Sequence, residues 1–162
     1  MPDQQHTDSE ANMPIDADVD LHQTKSNRHR ADTITMLVTI SIGGAIGAGA
    51  RYIIGITWPT SAGAFPISTL TINILGCALI GILMVLITEG WNAHRLLRPF
   101  LGTGILGGFT TFSTYTVDVQ QLVIGAHANT ALLYLALTPI GALIAVWVSA
   151  TTTRRLINWR IQ

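Results

Sequence analysis

The chain has 162 residues, of which 49% are apolar and only 11% are charged. Soluble domains carry about 25% charged residues, so this composition argues against a soluble globular protein. The net charge is zero, which removes the usual electrostatic basis for nucleic-acid binding, and the single cysteine, Cys77, excludes an internal disulfide.

The charges are unevenly distributed along the chain. Residues 1–32 contain seven acidic and three basic residues, whereas residues 33–162 contain two acidic and six basic residues. The first segment is polar and poor in aromatic residues, so it cannot bury enough apolar surface to offset the entropy lost on ordering. We therefore predict that residues 1–32 form a disordered polar tail, and the irregular spacing of its three histidines argues against a metal site.

Residues 33–153 contain four long apolar segments, at about residues 34–57, 68–88, 97–124 and 130–151, and a basic tail follows at residues 154–162. About 20 helical residues cross the roughly 30 Å hydrocarbon core of a bilayer. Backbone groups in lipid must bond internally, which favours helices. The sequence therefore predicts an all-α integral membrane domain with four transmembrane helices, a multi-pass protein of the cell membrane that contacts lipid and binds no nucleic acid.

The basic residues predict the orientation of these spans. With four spans, the N-terminal segment, the second joint and the C-terminal segment share one side of the membrane. That side holds eight basic residues: Lys25, Arg28, Arg30, Arg95, Arg98, Arg154, Arg155 and Arg160. The opposite side holds only Arg51, so the positive-inside rule places both termini in the cytoplasm.

Three features of the first two spans are candidates for packing or function. Gly43 and Gly47 are four residues apart, a spacing that lets two helices approach closely in lipid. Arg51 lies near the end of the first span, where a cation either reaches the interface or attracts an anion into a water-filled mouth. Asn73 lies in the middle of the second span, either as an interhelical hydrogen-bonding residue or as a neutral N–H donor to an anion.

The third segment joins glycines to a run of hydroxyl residues. Both glycine and threonine weaken helices, so we predict a break near residues 107–111. A break at membrane depth frees backbone carbonyls, which can hold a small hard cation such as Na⁺. Beyond it, Phe112 and Tyr115 share one helical face, either as core packing or with their ring edges towards a dehydrated anion. Asp118 is a further candidate if it lies within the membrane, but the segment ends about six residues later, so the alternative is a position near the interface.

The fourth segment carries a narrow polar face. Tyr134 and Thr138 lie four residues apart on an otherwise apolar helix. Pro139 follows directly and is expected to bend the helix, because proline lacks the backbone N–H that a helix needs there.

The sequence GGFTTFSTY at residues 107–115 resembles the signature of the Fluc/CrcB fluoride-channel family. Residues 47–52 and 71–76 resemble other segments of that family, and the likeness covers about residues 36–150 in the family's order. The resemblance implies passive export of fluoride, which lowers its toxic cytoplasmic concentration, and no enzymatic activity. It also implies a dimer of two four-span subunits packed antiparallel, with a broken third helix in each.

The same resemblance implies a set of site residues. A structural Na⁺ at the dimer interface is held by the backbone carbonyls of Gly107 and Thr110. The implied ion pathway consists of Asn73, Phe112, Tyr115, Thr114, Tyr134, Thr138 and Arg51.

Two departures from the family pattern are evident. Tyr115 stands where the family usually has phenylalanine, and its hydroxyl can bond to the anion or to a neighbouring group. The excess of eight basic residues over one predicts a fixed orientation. With a fixed orientation the antiparallel partner is a paralogue of opposite orientation, whereas a chain that inserts both ways pairs with a second copy of itself.

Three other functions compete with a fluoride channel. A small four-helix, dual-topology cation or drug exporter needs an acidic residue in its first span, and this span has none. A non-transporting membrane scaffold does not explain a broken third span. An intramembrane enzyme is disfavoured because Ser113 has no histidine at membrane depth to activate it.

Overall fold

The computed structural model describes the backbone of residues 17–90 and 95–161 and the side chains of residues 30–89 and 95–159. Within these ranges all regular structure is helical. Its contacts divide the chain into two units, Met1–Thr35 and Met36–Gln162. The packing and the site described below lie within the second unit.

Five α-helices and two π-helical segments make up the described chain. The α-helices are α1 (Ala17–Thr57), α2 (Ile67–Val85), α3 (Gly107–Phe109), α4 (Ser113–Ile124) and α5 (Ala128–Ile161). One π-helical segment, Leu86–Gly90, continues α2, and the other, Pro99–Leu106, leads directly into α3.

Three helical stretches are long and apolar enough to cross a membrane: Arg30–Thr57, Ile67–Glu89 and Ala128–Trp159. Large apolar side chains on them are exposed, such as Leu143 at 71% and Trp147 at 69% of their surface. Apolar surface of this extent is what lipid covers. The chain is therefore a multi-pass, all-helical membrane protein, as the composition predicts. Residues 97–124 are divided into shorter helices and are not among these three stretches.

The predicted disorder of residues 1–32 needs correction. α1 begins at Ala17, so residues 17–32, which are predicted to be disordered, are helical, and residues 1–16 lie outside the described part of the chain. No glycine or proline occurs between Ala17 and Ile42, and a helix that is already nucleated extends easily through such a sequence. For the same reason α5 continues to Ile161, through most of the predicted basic tail.

Glycines bring α1 against the third apolar segment. A Cβ added at Gly43 would lie 2.6 Å from the carbonyl oxygen of Phe100, and one added at Gly47 would overlap the carbonyl of Ile105. On the facing segment, a Cβ at Gly104 would lie 3.0 Å from the Cα of Gly43. The predicted close approach thus occurs within the chain, between backbones that only glycine allows to meet.

Small residues also bring α2 against α5, and these two helices pack extensively on each other. A Cβ at Gly81 would overlap the hydroxyl of Ser149, and one at Gly141 would lie 2.9 Å from the side chain of Ile74. At the end of this pair, Nε of Arg154 lies 2.6 Å from Oε1 of Glu89. Both partners of this ion pair are partly exposed, so it contributes little to stability and mainly marks where the two helices meet.

Candidate functional site

The third apolar segment is interrupted at residues 110–112. Thr110 is extended, with φ −73° and ψ 156°, and helical geometry resumes at Ser113. The N–H and the hydroxyl of Thr110 both donate to the carbonyl of Leu106, at 3.0 Å each. The carbonyl of Leu106 thus accepts two hydrogen bonds from Thr110, and the chain leaves the helix at this first hydroxyl residue.

This interruption lies towards the end of the range 107–111 in which the sequence predicts a break. Gly107 and Gly108 remain helical. A Cβ at Gly108 would overlap the carbonyl of Gly44 on α1. Gly108 therefore serves close packing against α1, and the hydroxyl residues that follow it leave the helix.

Asn73 holds the extended turn from the facing helix α2. Its Nδ2 donates to the carbonyl of Thr111 at 2.9 Å, and its Oδ1 accepts the N–H of Thr111 at 2.8 Å. Asn73 is 7% exposed, so one buried amide pairs both backbone groups of the turn residue, as a neighbouring strand would. Of the two predicted roles for Asn73, the geometry shows the structural one directly. One hydrogen of its Nδ2 amide remains beyond the bond to Thr111.

Several backbone carbonyls lose their helical donors at this turn, among them those of Gly107 and Thr110. In a continuous α-helix the carbonyl of Gly107 would accept the N–H of Thr111, and that of Thr110 would accept the N–H of Thr114. Instead, the N–H of Thr111 donates to Asn73, and the N–H of Thr114 donates to Oγ1 of Thr111 at 3.1 Å. Gly107 and Thr110 are the two residues whose carbonyls are predicted to hold Na⁺.

Arg51 reaches the turn from α1. Its Nε donates to the carbonyl of Gly108 at 3.2 Å, and its Nη1 donates to Oγ1 of Thr114 at 3.4 Å. A cation beside carbonyls at the end of a helix is electrostatically favourable. The guanidinium therefore bridges the two sides of the interruption.

Three aromatic rings follow one another from the turn to α5. The ring centroids of Phe112 and Tyr115 are 5.7 Å apart, with an angle of 48° between the ring planes. Tyr115 and Tyr134 follow at 5.2 Å and 55°. Phe112 is 79% exposed, whereas Tyr115 and Tyr134 are buried. Tilted contacts of this kind leave ring edges, the positive part of the quadrupole, available to a neighbouring group.

The hydroxyls of the predicted pathway differ in whether they donate a hydrogen bond within the protein. Tyr134 donates to Oδ2 of Asp118 at 3.3 Å, and Thr138 donates back to the carbonyl of Tyr134 at 2.9 Å. Thr114 instead accepts bonds from Thr111 and from Arg51. The hydroxyl hydrogen of Thr114 is thus the one that these contacts leave for a ligand, whereas Tyr134 and Thr138 donate within the protein.

A cleft of about 500 Å³ brings together most of the predicted site residues. Its lining includes six of the nine predicted site residues: Asn73, Gly107, Thr110, Phe112, Tyr115 and Thr138. Arg51, Thr114 and Tyr134 do not line it. Arg51 and Thr114 meet behind the turn, and Tyr134 contacts the cleft residue Tyr115 through its ring.

Sequence reasoning missed several residues of this cleft. Thr111, Cys77 and Ala142 also line it. The hydroxyl run contained a signal for Thr111, because a threonine beside a break can cap the following helix. The other two have no chemical signature in the sequence, since only the packing of α2 against α5 places them there.

Comparison with known proteins identifies the family. A family profile described as "CrcB-like protein, Camphor Resistance (CrcB)" matches residues 38–150. The chain belongs to the CrcB-like family. This confirms the resemblance seen in the sequence, and the matched range includes every residue of the cleft.

Curated relatives carry a functional name. The chain is 53% identical over 125 residues to "Fluoride-specific ion channel FluC 1" of Streptomyces coelicolor, covering 77% of this chain and 81% of the relative. It is 56% identical over 103 residues to "Fluoride-specific ion channel FluC 2" of Streptomyces avermitilis, covering 64% and 65%. It is 49% identical over 119 residues to "Fluoride-specific ion channel FluC 2" of Nocardia farcinica, covering 74% and 85%.

Proposed function

We propose that this CrcB-like protein is a fluoride-specific ion channel, and not an enzyme, through which fluoride leaves the cytoplasm passively. The observation that carries the proposal is the cleft beside the Asn73-held turn, in a chain whose relatives are named fluoride channels. Export down the gradient lowers the cytoplasmic fluoride concentration and so reduces toxicity.

The proposed path uses neutral donors. A bare anion in a medium of low dielectric is very costly, so something must replace its water. The remaining Nδ2 hydrogen of Asn73 and the ring edges of Phe112 and Tyr115, three residues that line the cleft, are suited to this. None of these groups carries a full charge, so fluoride binds weakly at several places and leaves readily. Arg51 supplies positive potential from behind the turn.

We further propose that residues 97–124 are a fourth membrane crossing, broken at the turn. Four crossings place both termini on one side, and the distribution of basic residues assigns that side to the cytoplasm. A broken crossing needs protein, water or an ion to pair its free backbone groups. Asn73, Thr111 and Arg51 pair several of them within the chain.

A second, antiparallel subunit completes the proposed channel. Phe112, at 79% exposure beside the cleft, is a large ring that lacks cover within one chain, and a partner subunit would supply it. The partner is a second copy or a paralogue of opposite orientation. Terminal labelling of the chain expressed alone distinguishes these, because equal labelling from both sides of the membrane contradicts a fixed orientation.

Na⁺ is the proposed structural ion of this dimer. The carbonyl oxygens of Gly107 and Thr110 fit it, because carbonyls are ligands of small hard cations and these two have lost their helical N–H donors. Two subunits would supply four such oxygens. The bound ion would provide fixed positive charge between the subunits, and the residues of the turn keep the carbonyls in place.

Fluoride efflux from proteoliposomes tests the proposal. The purified full chain is reconstituted from detergent, which allows both orientations, and efflux is followed with a fluoride electrode. We expect fluoride efflux that grows with protein content and no comparable chloride efflux from matched vesicles. Equal release of both anions, or fluoride release no faster than from protein-free vesicles, would reject a fluoride-specific channel.

A further inference from the structure

A backbone carbonyl in α5 lacks its usual donor. In an α-helix the carbonyl of residue 135 accepts the N–H of residue 139. Residue 139 is a proline, which has no N–H, and α5 nevertheless continues through it from Ala128 to Ile161. In lipid such a carbonyl must find another partner, because no water is present to bond to it.

The hydroxyl of Tyr115 is that partner. Its Oη lies 2.8 Å from the carbonyl oxygen of Leu135, and Tyr115 is only 7% exposed. The bond joins α4 to α5 at the first carbonyl that the proline leaves open. Tyr115 and Pro139 both line the cleft, so this bond holds a residue of its wall.

We propose that the Tyr115 hydroxyl replaces the N–H that Pro139 lacks, and that this bond positions the Tyr115 ring in the wall of the ion path. The inference rests on the proposed channel function for its consequence in transport. The hydroxyl donates its only hydrogen to the carbonyl of Leu135, so Tyr115 offers a ring edge to the anion and not an O–H donor. The Tyr115 hydroxyl thus positions the ring. It is the group that phenylalanine lacks, and it bonds to the carbonyl that Pro139 leaves without a donor.

Loss of the hydroxyl exposes the carbonyl. With phenylalanine at position 115, the Leu135 oxygen has no donor and presents the negative end of a dipole beside the cleft. That disfavours an anion there and leaves the ring free to turn. Replacing Pro139 by alanine restores a backbone N–H to the same carbonyl, so the hydroxyl is then no longer required.

A double-mutant cycle tests this pairing. Tyr115→Phe is made in the natural chain and in a Pro139→Ala chain, and the unfolding equilibrium in mixed micelles and the fluoride efflux rate are measured for all four proteins. In the natural background we expect Tyr115→Phe to shift the unfolding constant by about three- to fifteenfold, the range measured for interhelical bonds in membranes. In the Pro139→Ala background we expect Tyr115→Phe to shift the unfolding constant by less than about twofold. The efflux rate of the double variant should then be close to that of Pro139→Ala alone.

The control is Tyr52→Phe, the same chemical change at a side chain that is 67% exposed on α1, which should leave both measurements unchanged. Pro139→Gly also supplies an N–H and serves as a second background if Pro139→Ala does not fold. Equal effects of Tyr115→Phe in both backgrounds, or no effect in the natural one, would overturn the proposal. If the natural chain moves no fluoride, the channel function fails, and the unfolding cycle still decides whether hydroxyl and proline are paired.

Discussion

Asn73→Ala removes both hydrogen bonds that fix the extended turn. The two bonds, of 2.9 and 2.8 Å, pair the carbonyl and the N–H of a single residue, Thr111. Thr111 is partly exposed, so each bond is expected to contribute about 0.5–1.5 kcal/mol. Two such bonds give an expected loss of about 1–3 kcal/mol in the free energy of unfolding.

Two measurements are made on the purified protein in mixed micelles. One is the unfolding equilibrium, and the other is the rate of hydrogen exchange at the turn. Asn129→Ala is the matched control, because Asn129 is exposed at the start of α5. We expect Asn73→Ala to lower the unfolding free energy and to speed exchange of the Thr111 N–H, and Asn129→Ala to do neither. A change of less than about 0.5 kcal/mol for Asn73→Ala, the level of ordinary surface substitutions, would refute the structural role of the amide.

Two further substitutions test the packing around the turn. Gly47→Ala should destabilise the protein strongly, because its Cβ would overlap the carbonyl of Ile105. The control Gly55→Ala should not, because no atom lies within 4 Å of the added Cβ. Equal unfolding midpoints of the two variants would contradict this packing. Arg51→Gln should cost about 1.5–3 kcal/mol of unfolding free energy, since it removes a charged donor from Gly108, and Arg51→Lys should recover efflux more than stability. Full stability of Arg51→Gln would show that the guanidinium does not bridge the turn.

The sequence predicts the broad organisation of the chain well, because lipid imposes simple rules on composition. Apolar length identifies the stretches that become α1, α2 and α5, and the spacing of Gly43 and Gly47 predicts a close helix contact. The ends of the helices are predicted less well. Charged residues outside the hydrocarbon core do not end a helix, so α1 and α5 extend well beyond the apolar segments.

The site shows a similar division. The hydroxyl run marks where the helix is interrupted, since threonine favours extended backbone and side-chain caps over a helical interior. The residue at which the helix ends depends on α1, which holds Gly108 in place by close packing, and on the amide of Asn73 in α2. Neither contact is encoded near the turn in the sequence, so the interruption falls at residues 110–112, at the end of the predicted range.

The role of the Tyr115 hydroxyl could not be predicted without the three-dimensional structure. In the sequence Tyr115 and Pro139 are 24 residues apart and appear unrelated, one as a departure from a family pattern and the other as a bend. The structure relates them through the Leu135 carbonyl, since Tyr115 donates to the oxygen that proline leaves open. An unusual residue in one helix thus has its physical reason in another.

Fluoride efflux from vesicles containing Asn73→Asp tests most directly whether fluoride passes beside the turn. An ionised carboxylate about 4 Å from the path repels an anion by about 4 kcal/mol at intermediate dielectric, so we expect efflux to fall by at least about tenfold. Asn129→Asp adds the same charge at an exposed position and should leave efflux unchanged, with both proteins first shown to be folded. Undiminished fluoride efflux through folded Asn73→Asp would contradict a path beside this residue.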